Sequence, residues 1–302
     1  MRKQFVSKMI GSPDPFIFTG GFSMPRIWFV LICLFMILGL VHPATAQEKQ
    51  ATGQEDLAKK SQNPVGNMIS VPIEYSHYDG MDNDGSADAV IMKPVYPTRI
   101  GNLNLINRFI IPYLGIDAHD GDQDLGDISI PASTSRESGL GNIQYQGFFS
   151  PAEPGKVIWG LGPVLELPTN TSGLGSDKWS AGPAALVLTM PGKWVIGALA
   201  QNMWSFAGPS DAPSVNQFVF QYFINYNLTN GWYLTSTPIM TADWKKPSGN
   251  QWTVPVGGGI GKLHRFGKLP VDFKLQAFTN VEKPDGGPDW SMMFAVKFLF
   301  PK

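Results

Sequence analysis

From Asn216 to Leu228 the chain alternates, residue by residue, between two chemically different faces. Phe218, Phe220, Tyr222, Ile224, Tyr226 and Leu228 share one face. Gln217, Val219, Gln221, Phe223, Asn225 and Asn227 share the other. A period of 2 belongs to a β-strand whose two sides meet different surroundings. The strand of a soluble sandwich alternates as well, but its apolar face is seldom so aromatic over such a length. The last strand repeats the pattern with Trp290, Met292, Phe294, Val296, Phe298 and Phe300 in one register. Between Leu269 and Val281 an apolar register opposes one carrying Asp272, Lys274, Gln276 and Asn280. Strands of about 9–13 residues exceed the usual sandwich length and suit a tilted membrane crossing.

Twelve such segments are expected, near 68–76, 88–96, 101–112, 141–150, 156–168, 178–190, 194–205, 215–228, 231–243, 250–264, 269–281 and 289–300. The connections between them alternate long and short, beginning with a long one at 77–87 and including a very long one at 113–140. Turn-forming residues mark the short ones: Pro151 to Gly155, Pro191-Gly192, Thr229-Asn230-Gly231 and Gly267. Long outward loops and short periplasmic turns are the pattern of an outer-membrane barrel. The expected fold is therefore all-β, a closed antiparallel transmembrane barrel of about twelve strands. Lipid supplies no hydrogen bonds to backbone, so a spanning sheet has to close on itself.

Tryptophan placement gives the same reading. Trp159, Trp194 and Trp232 fall beside short turns; Trp179, Trp204, Trp244, Trp252 and Trp290 fall beside longer loops. Two interfacial aromatic belts produce this distribution. Composition agrees: 16% charged residues is below the roughly 25% of soluble domains, while 12% are aromatic. A formal net charge of -1 excludes a basic nucleic-acid-binding surface, so no nucleic acid partner is expected.

One unbroken apolar run, Ile27 to Val41, is short for a spanning helix of about 20 residues. Arg26 precedes it and Ala44-Thr45-Ala46 follows as a small-residue cleavage pattern. Residues 1–46 are expected to be a signal peptide, with Met24 as an alternative start. Residues 47–67 then form a polar periplasmic leader with a short helix around Glu55 to Lys60, and 68–302 form the barrel. The only cysteine, Cys33, lies inside the signal. The remainder, with 19 basic and 23 acidic residues, has no disulfide, thiolate metal site or cysteine nucleophile.

If the aromatic registers face lipid, the opposite registers face a lumen. Arg108, Gln144, Gln146, Glu166 and Gln217 are lumen candidates on that ground. So are Gln221, Asn225, Asp272, Lys274 and Gln276. Charges of both signs there set a transverse field or bind a polar solute, or else fill a narrow interior with paired polar groups. Gly160, Gly162, Gly257, Gly259 and Gly261 fall on the same side, where they widen the lumen, accommodate the leader as a plug, or ease strand curvature. Asp117, Asp120, Asp122, Asp124 and Asp127 make the 113–140 loop acidic, but their spacing is not that of a calcium-binding loop, and a solvated outward loop is expected. The histidines after the signal, His77, His119 and His264, sit in no serine-containing catalytic motif. No enzyme activity, cofactor or metal is expected.

Several stretches carry a family resemblance. They are Leu57 to Pro64, Gly139 to Ile143, Phe148-Phe149-Ser150-Pro151-Ala152, Trp159-Gly160-Leu161-Gly162-Pro163, Lys178 to Pro183, Pro284-Asp285-Gly286-Gly287-Pro288 and Phe298 to Lys302. Together they resemble the bacterial outer-membrane family labelled "putative MetA-pathway of phenol degradation", also called transporters or neuromedin U. The resemblance covers nearly all of the chain after the signal. It implies a barrel in the outer membrane of a Gram-negative bacterium and carries no catalytic motif. One departure is Asn142, where the family form Gly-Leu-Gly-Asp-Ile has aspartate; that form stands nearby as Asp124-Leu125-Gly126-Asp127-Ile128.

The expected function is a passive channel for small molecules, apolar or aromatic ones included. Its expected partners are outer-membrane lipid, a small-molecule permeant and, during biogenesis, the barrel-assembly machinery. The alternative is a non-conducting barrel with a structural, adhesion or partner-docking role.

Overall fold

The computed structural model describes residues 48–300 except 119–122, 127, 131–134 and 172. The expected signal peptide and Cys33 lie outside the described residues, as do His119, Asp120, Asp122 and Asp127. Alternation produces the expected strands, and consecutive strands pair antiparallel. Twelve staves close the sheet. The first is β1 (Ile69–Met81), and the second is β2 (Gly85–Met92) continued by β3 (Val95–Ile100). Next come β4 (Leu103–Ile116) and, beyond the short hairpin β5 (Gln123–Leu125) and β6 (Ile128–Ile130), the stave of β7 (Glu137–Leu140) and β8 (Ile143–Pro151). Then follow β9 (Val157–Leu167), β10 (Trp179–Thr189), β11 (Trp194–Ala207) and β12 (Asn216–Asn227). The ninth stave is β13 (Trp232–Ser236) with β14 (Ile239–Asp243), and β15 (Trp252–Phe266), β16 (Leu269–Glu282) and β17 (Trp290–Phe300) complete the set. The last strand pairs with the first, from Ile69 opposite Phe300 to Asp79 opposite Trp290, so the sheet has no open edge.

Three staves are interrupted in the middle, each where a proline or glycine disturbs the ladder. The break at Lys93-Pro94 is bridged by Lys93 N–H donating to Pro72 O and Phe109 N–H donating to Pro94 O. Thr237-Pro238 separates β13 from β14, and Gly141-Asn142 separates β7 from β8. Asn142 is buried in that last gap, donating from Nδ2 to Ser176 O at 2.8 Å and accepting from Asn170 Nδ2 at 3.0 Å. An amide at this position therefore both donates and accepts, which a carboxylate cannot do.

The first connection differs from expectation. In place of a long loop over 77–87, β1 and β2 run on as a paired hairpin closed by the three-residue turn Asp82–Asp84. Asn83 and Asp84 take left-handed backbone angles (φ 58° and 55°), which Asn and Asp tolerate better than other side-chain-bearing residues. Alternation of long and short connections thus has one exception, because extended pairing continues past the membrane-spanning length. The turn Thr229–Gly231 uses the same device at the opposite end, with Asn230 at φ 57°.

The other departure concerns the 113–140 connection, whose hairpin β5–β6 does not project into solvent. Leu125, Ile128 and Ile130 are buried against Met81, Ala87, Ala89, Ile91, Ile110, Leu114 and Ile116, the inward residues of the neighbouring staves. Burial of about three aliphatic side chains, each worth roughly 1.5–3 kcal/mol, outweighs solvation of the acidic flanks and holds the hairpin in the barrel mouth. At the opposite end, α1 (Glu48–Ser61) extends well beyond the short helix expected over 55–60.

Candidate functional site: the barrel lumen

Strand parity sorts every stave into an outer and an inner face. On β12, Gln217, Val219, Phe223, Asn225 and Asn227 are buried, whereas Ile224 is exposed and Phe218, Phe220, Tyr222 and Tyr226 are half-buried. The eight tryptophans all lie on the outward register. Trp159 and Trp194 are exposed and Trp232 is half-buried at the end bearing the short turns; Trp179, Trp204, Trp244 and Trp290 are exposed and Trp252 is half-buried at the end bearing the loops. Local packing orients several of them. Trp244 and Trp252 meet edge-on at 5.5 Å, Trp194 packs on Tyr226 at 4.7 Å, and Lys262 lies over the Trp232 ring at 4.4 Å. Between the two rings of tryptophan the exterior is apolar, with Leu161, Val187, Ile196, Leu234, Val256 and Ile260 exposed. An apolar band flanked by interfacial aromatics is the exterior of a membrane barrel.

The interior is two-sided. Along β4 and β8 to β12 it is mostly filled: Ile106, Phe148, Ile158, Val164, Leu186, Leu188, Val195, Leu199, Met203 and Phe223 form one packed cluster. Gln144 and Gln146 sit within this wall. Gln146 Nε2 donates to Gln144 Oε1 at 2.9 Å and to Gln201 Oε1 at 2.8 Å, and Gln201 Nε2 donates to Gln144 Oε1 at 3.1 Å, so the amides bind one another within the wall although Gln146 Oε1 itself accepts nothing. Glu166 accepts a long 3.4 Å hydrogen bond from Asn142 near the loop end, and Gln217 is buried near the same end. These four candidates face inward, and Gln146 stands opposite Arg108 in the β4–β8 ladder, but none of the four lines the open space of the lumen.

The opposite wall, from β13 through β17 to β1 and the β2–β3 junction, borders open space, which Arg108 of β4 and Gln221 and Asn225 of β12 face from the filled side. The remaining candidates converge around it. A cavity of about 160 Å³ is lined by Arg108, Gln221, Asn225, Asp272 and Lys274. Gln276 lies just above, accepting from Thr237 N–H at 3.1 Å and donating to Thr237 Oγ1 at 2.8 Å. Sequence reasoning missed several lining groups, among them Glu74, Lys93, Tyr233 and Lys297. Parity puts each of them on the inward register of its stave, but as a lone residue rather than part of a charged stripe. Lys93 Nζ contacts Glu74 Oε2 at 2.7 Å with side chains only 4% and 15% exposed. Tyr233 Oη donates to Asp272 Oδ1 at 2.9 Å, and Lys297 Nζ lies 3.7 Å from Asp272 Oδ2. A second, smaller cavity of about 60 Å³ lies towards the loop end, beneath Gly126 of the β5–β6 hairpin. The two cavities share Glu74, Lys93 and Thr237 as lining, which places that ion pair at the level where they meet.

The pair at the junction makes a stability prediction. Lys93→Met leaves the Glu74 carboxylate enclosed without its closest partner, a loss that costs about 3 kcal/mol for pairs of this burial. Urea unfolding of the purified barrel followed by tryptophan emission is the measurement, and Lys93→Met/Glu74→Gln should recover most of the loss.

The leader closes the turn end of the lumen. Ser61, Gln62, Asn63, Pro64, Gly66 and Met68 line the larger cavity, and Val65 packs into the apolar cluster, where with Phe148 it crowds the position a β-carbon on Gly160 would take, at 3.3 and 3.2 Å. Leu57 and Ala58 of α1 pack on Leu263 and Leu299. Polar contacts tie the segment to the wall: Gln54 Nε2 to Leu263 O at 2.6 Å, Lys59 Nζ to Met190 O at 2.8 Å and Gly192 O at 2.6 Å, and Lys297 Nζ to Ser61 O at 2.7 Å. Of the inward glycines, Gly160 thus accommodates the leader and Gly261 accommodates the Tyr233 ring. Gly257 and Gly259 instead allow the backbone of β16 to approach closely, which serves curvature. Among the described residues no group of three or more His, Cys, Asp or Glu is arranged to hold a metal ion.

Comparison with known proteins supports this architecture. An outer membrane channel from Pseudomonas putida F1 aligns at 14% identity with a TM-score of 0.56, covering 85% of this chain and 100% of its own. The NanC porin aligns at 8% identity and a TM-score of 0.46, over 78% of this chain and 100% of its own. The CymD monoaromatic hydrocarbon channel aligns at 8% identity and 0.41, over 86% of this chain and 95% of its own. At these identities the first likeness bears on the fold, a twelve-stranded outer-membrane barrel. No curated protein matches the sequence. The apolar band between tryptophan rings and the edgeless sheet place the chain in the outer membrane of a Gram-negative bacterium. A family model matches residues 70–294, three-quarters of the sequence and most of the barrel, and the chain belongs to that family, described as "Putative MetA-pathway of phenol degradation".

Proposed function

We propose that the protein is a passive outer-membrane channel for small hydrophobic or aromatic molecules. The observation that carries this reading is the pair of cavities running along one wall of the lumen and meeting at Glu74 and Lys93. A barrel that served only as a scaffold would gain stability by filling that wall as it fills the other. The open space is bordered by polar side chains and by apolar ones, Leu299 on its own wall and Leu199 and Phe223 across from it, so an aromatic solute finds both a surface to lie on and groups to orient it. Permeation of this kind needs no energy source; flux follows the concentration gradient. Proteoliposomes containing the barrel should take up phenol-sized aromatics faster than protein-free vesicles, and should discriminate against sugars of larger cross-section. Equal uptake by both kinds of vesicle would overturn the proposal.

The alternative, a non-conducting barrel that docks a partner or supports the envelope, is favoured by one specific observation. Both ends of the lumen are covered, one by the buried hairpin β5–β6 and the other by the leader. Deleting residues 119–134 separates the two readings. A channel should pass solute at least as fast as before, whereas a docking barrel should lose its partner with no change in uptake.

A further inference from the structure

Five cationic side chains and two carboxylates line the larger cavity. Two of the cations are accounted for locally: Lys93 pairs with Glu74, and Lys297 lies beside Asp272. A third, Lys60, is exposed on the leader at the cavity mouth. Arg108 on β4 and Lys274 on β16 remain. Both point inward and, among the described residues, neither makes a hydrogen bond or an ion pair within 4 Å. Both act at longer range on Glu74, and Lys274 on Asp272 as well, but five cations against two carboxylates leave the shared, partly dehydrated space net positive, and an anion entering it gains from the two that no carboxylate touches.

The rest of the wall restricts what that anion is. Leu199 and Phe223 border the same cavity from the packed side of the barrel. A volume of about 160 Å³, against roughly 10–15 Å³ for one water on the same measure, admits a solute on the order of ten heavy atoms. A free inorganic anion uses the cations and wastes the apolar surface; a neutral aromatic does the reverse. We propose that this cavity is a binding site for small amphipathic monocarboxylic acids, the carboxylate held by Arg108 and Lys274 and the apolar body laid against Leu199 and Phe223. This deepens the channel reading by naming a class of permeant, and in that sense it rests on it.

Binding is testable apart from permeation. Equilibrium dialysis of labelled benzoate against the full chain in nanodiscs is the measurement, with acetate and benzyl alcohol as probes lacking the apolar body and the charge. Benzoate is expected to bind at least about tenfold more tightly than either. Arg108→Gln/Lys274→Gln should lower benzoate affinity about tenfold or more and leave benzyl alcohol binding unchanged. Arg108→Lys/Lys274→Arg, which keeps both charges, should retain benzoate binding. The exposed-site variant Lys156→Gln/Lys245→Gln, with the same charge loss, should bind benzoate like the parent. Heat-modifiable gel migration confirms that each variant is folded. Benzoate binding no tighter than benzyl alcohol, or indifferent to Arg108→Gln/Lys274→Gln, overturns the site. A barrel that binds benzoate through these residues yet never speeds solute uptake keeps this inference and sinks the channel. One that passes neutral aromatics without binding benzoate keeps the channel and sinks the site.

Discussion

Deleting residues 48–66 should raise single-channel conductance several-fold and turn brief, rare openings into a steady current. The expectation comes from how the leader is held. Its helix contributes few apolar contacts, chiefly Leu57 and Ala58 on Leu263 and Leu299, and four polar ties to backbone carbonyls or from Lys297. Each such tie is worth about 0.5–1.5 kcal/mol, or somewhat more where a lysine donates, so the attachment is modest beside the closed sheet. The barrel wall does not depend on it: the inter-strand ladders run without any residue before Ile69. A milder variant isolates the lysine tie. Lys59→Met removes the hydrogen bonds to Met190 O and Gly192 O and should increase open probability without enlarging the fully open conductance. Planar bilayer recording of the three proteins is the measurement; identical currents would show that the leader does not gate the path.

Gly261→Val should produce a still larger effect, on assembly. Tyr233 stands directly opposite Gly261 in the β13–β15 ladder, and its ring occupies the space a β-carbon on Gly261 would need. The ring is buried, and its hydroxyl is fixed on Asp272. A valine forces the ring away, so the cost joins an overpacking term of about 1–3 kcal/mol to the loss of a charge-assisted hydrogen bond of about 1.5–3 kcal/mol. Such a sum is comparable with the whole stability of many domains. The variant is expected to lose heat-modifiable migration and to accumulate unfolded. Tyr233→Phe keeps the ring and should cost only the hydrogen bond, because Lys297 still faces Asp272. Gly261→Val/Tyr233→Ala should fold better than Gly261→Val alone, since the offending ring is gone; additive losses would show that the two residues do not interact.

These two predictions differ in how much of their basis is readable from the chain. The inward position of Gly261 and the polar residues of β16 follow from alternation, because a period of 2 assigns each residue to one face once its neighbours are placed. The same holds for Arg108, Gln221, Asn225 and Lys274, and for the eight tryptophans. Alternation says nothing about what lies across the barrel. That Gln144 and Gln146 hydrogen-bond each other and Gln201, three staves away, depends on which staves face which, and so on closure. Glu74 and Lys93 are equally inward by parity, yet they were missed because the first two staves carry only one such residue each and gave no charged stripe.

The leader and the 113–140 connection mark the boundary most clearly. Both are polar or acidic in sequence; the connection reads as a solvated outward loop, and the leader as a periplasmic segment with plugging of the lumen left open. What reverses this is a few apolar residues in each: Leu57, Ala58 and Val65 in one, Leu125, Ile128 and Ile130 in the other. In the extended chain their company is polar. Only when twelve staves close does an unfilled apolar lining appear at each mouth, and burying these side chains against it becomes the cheaper arrangement. The sequence by itself determined a closed twelve-stave barrel with a lipid-facing side and an inner side, because spacing along a strand is local. Which inner residues share a chamber, and what covers its ends, was decided by the tertiary structure, because contacts across a lumen have no period.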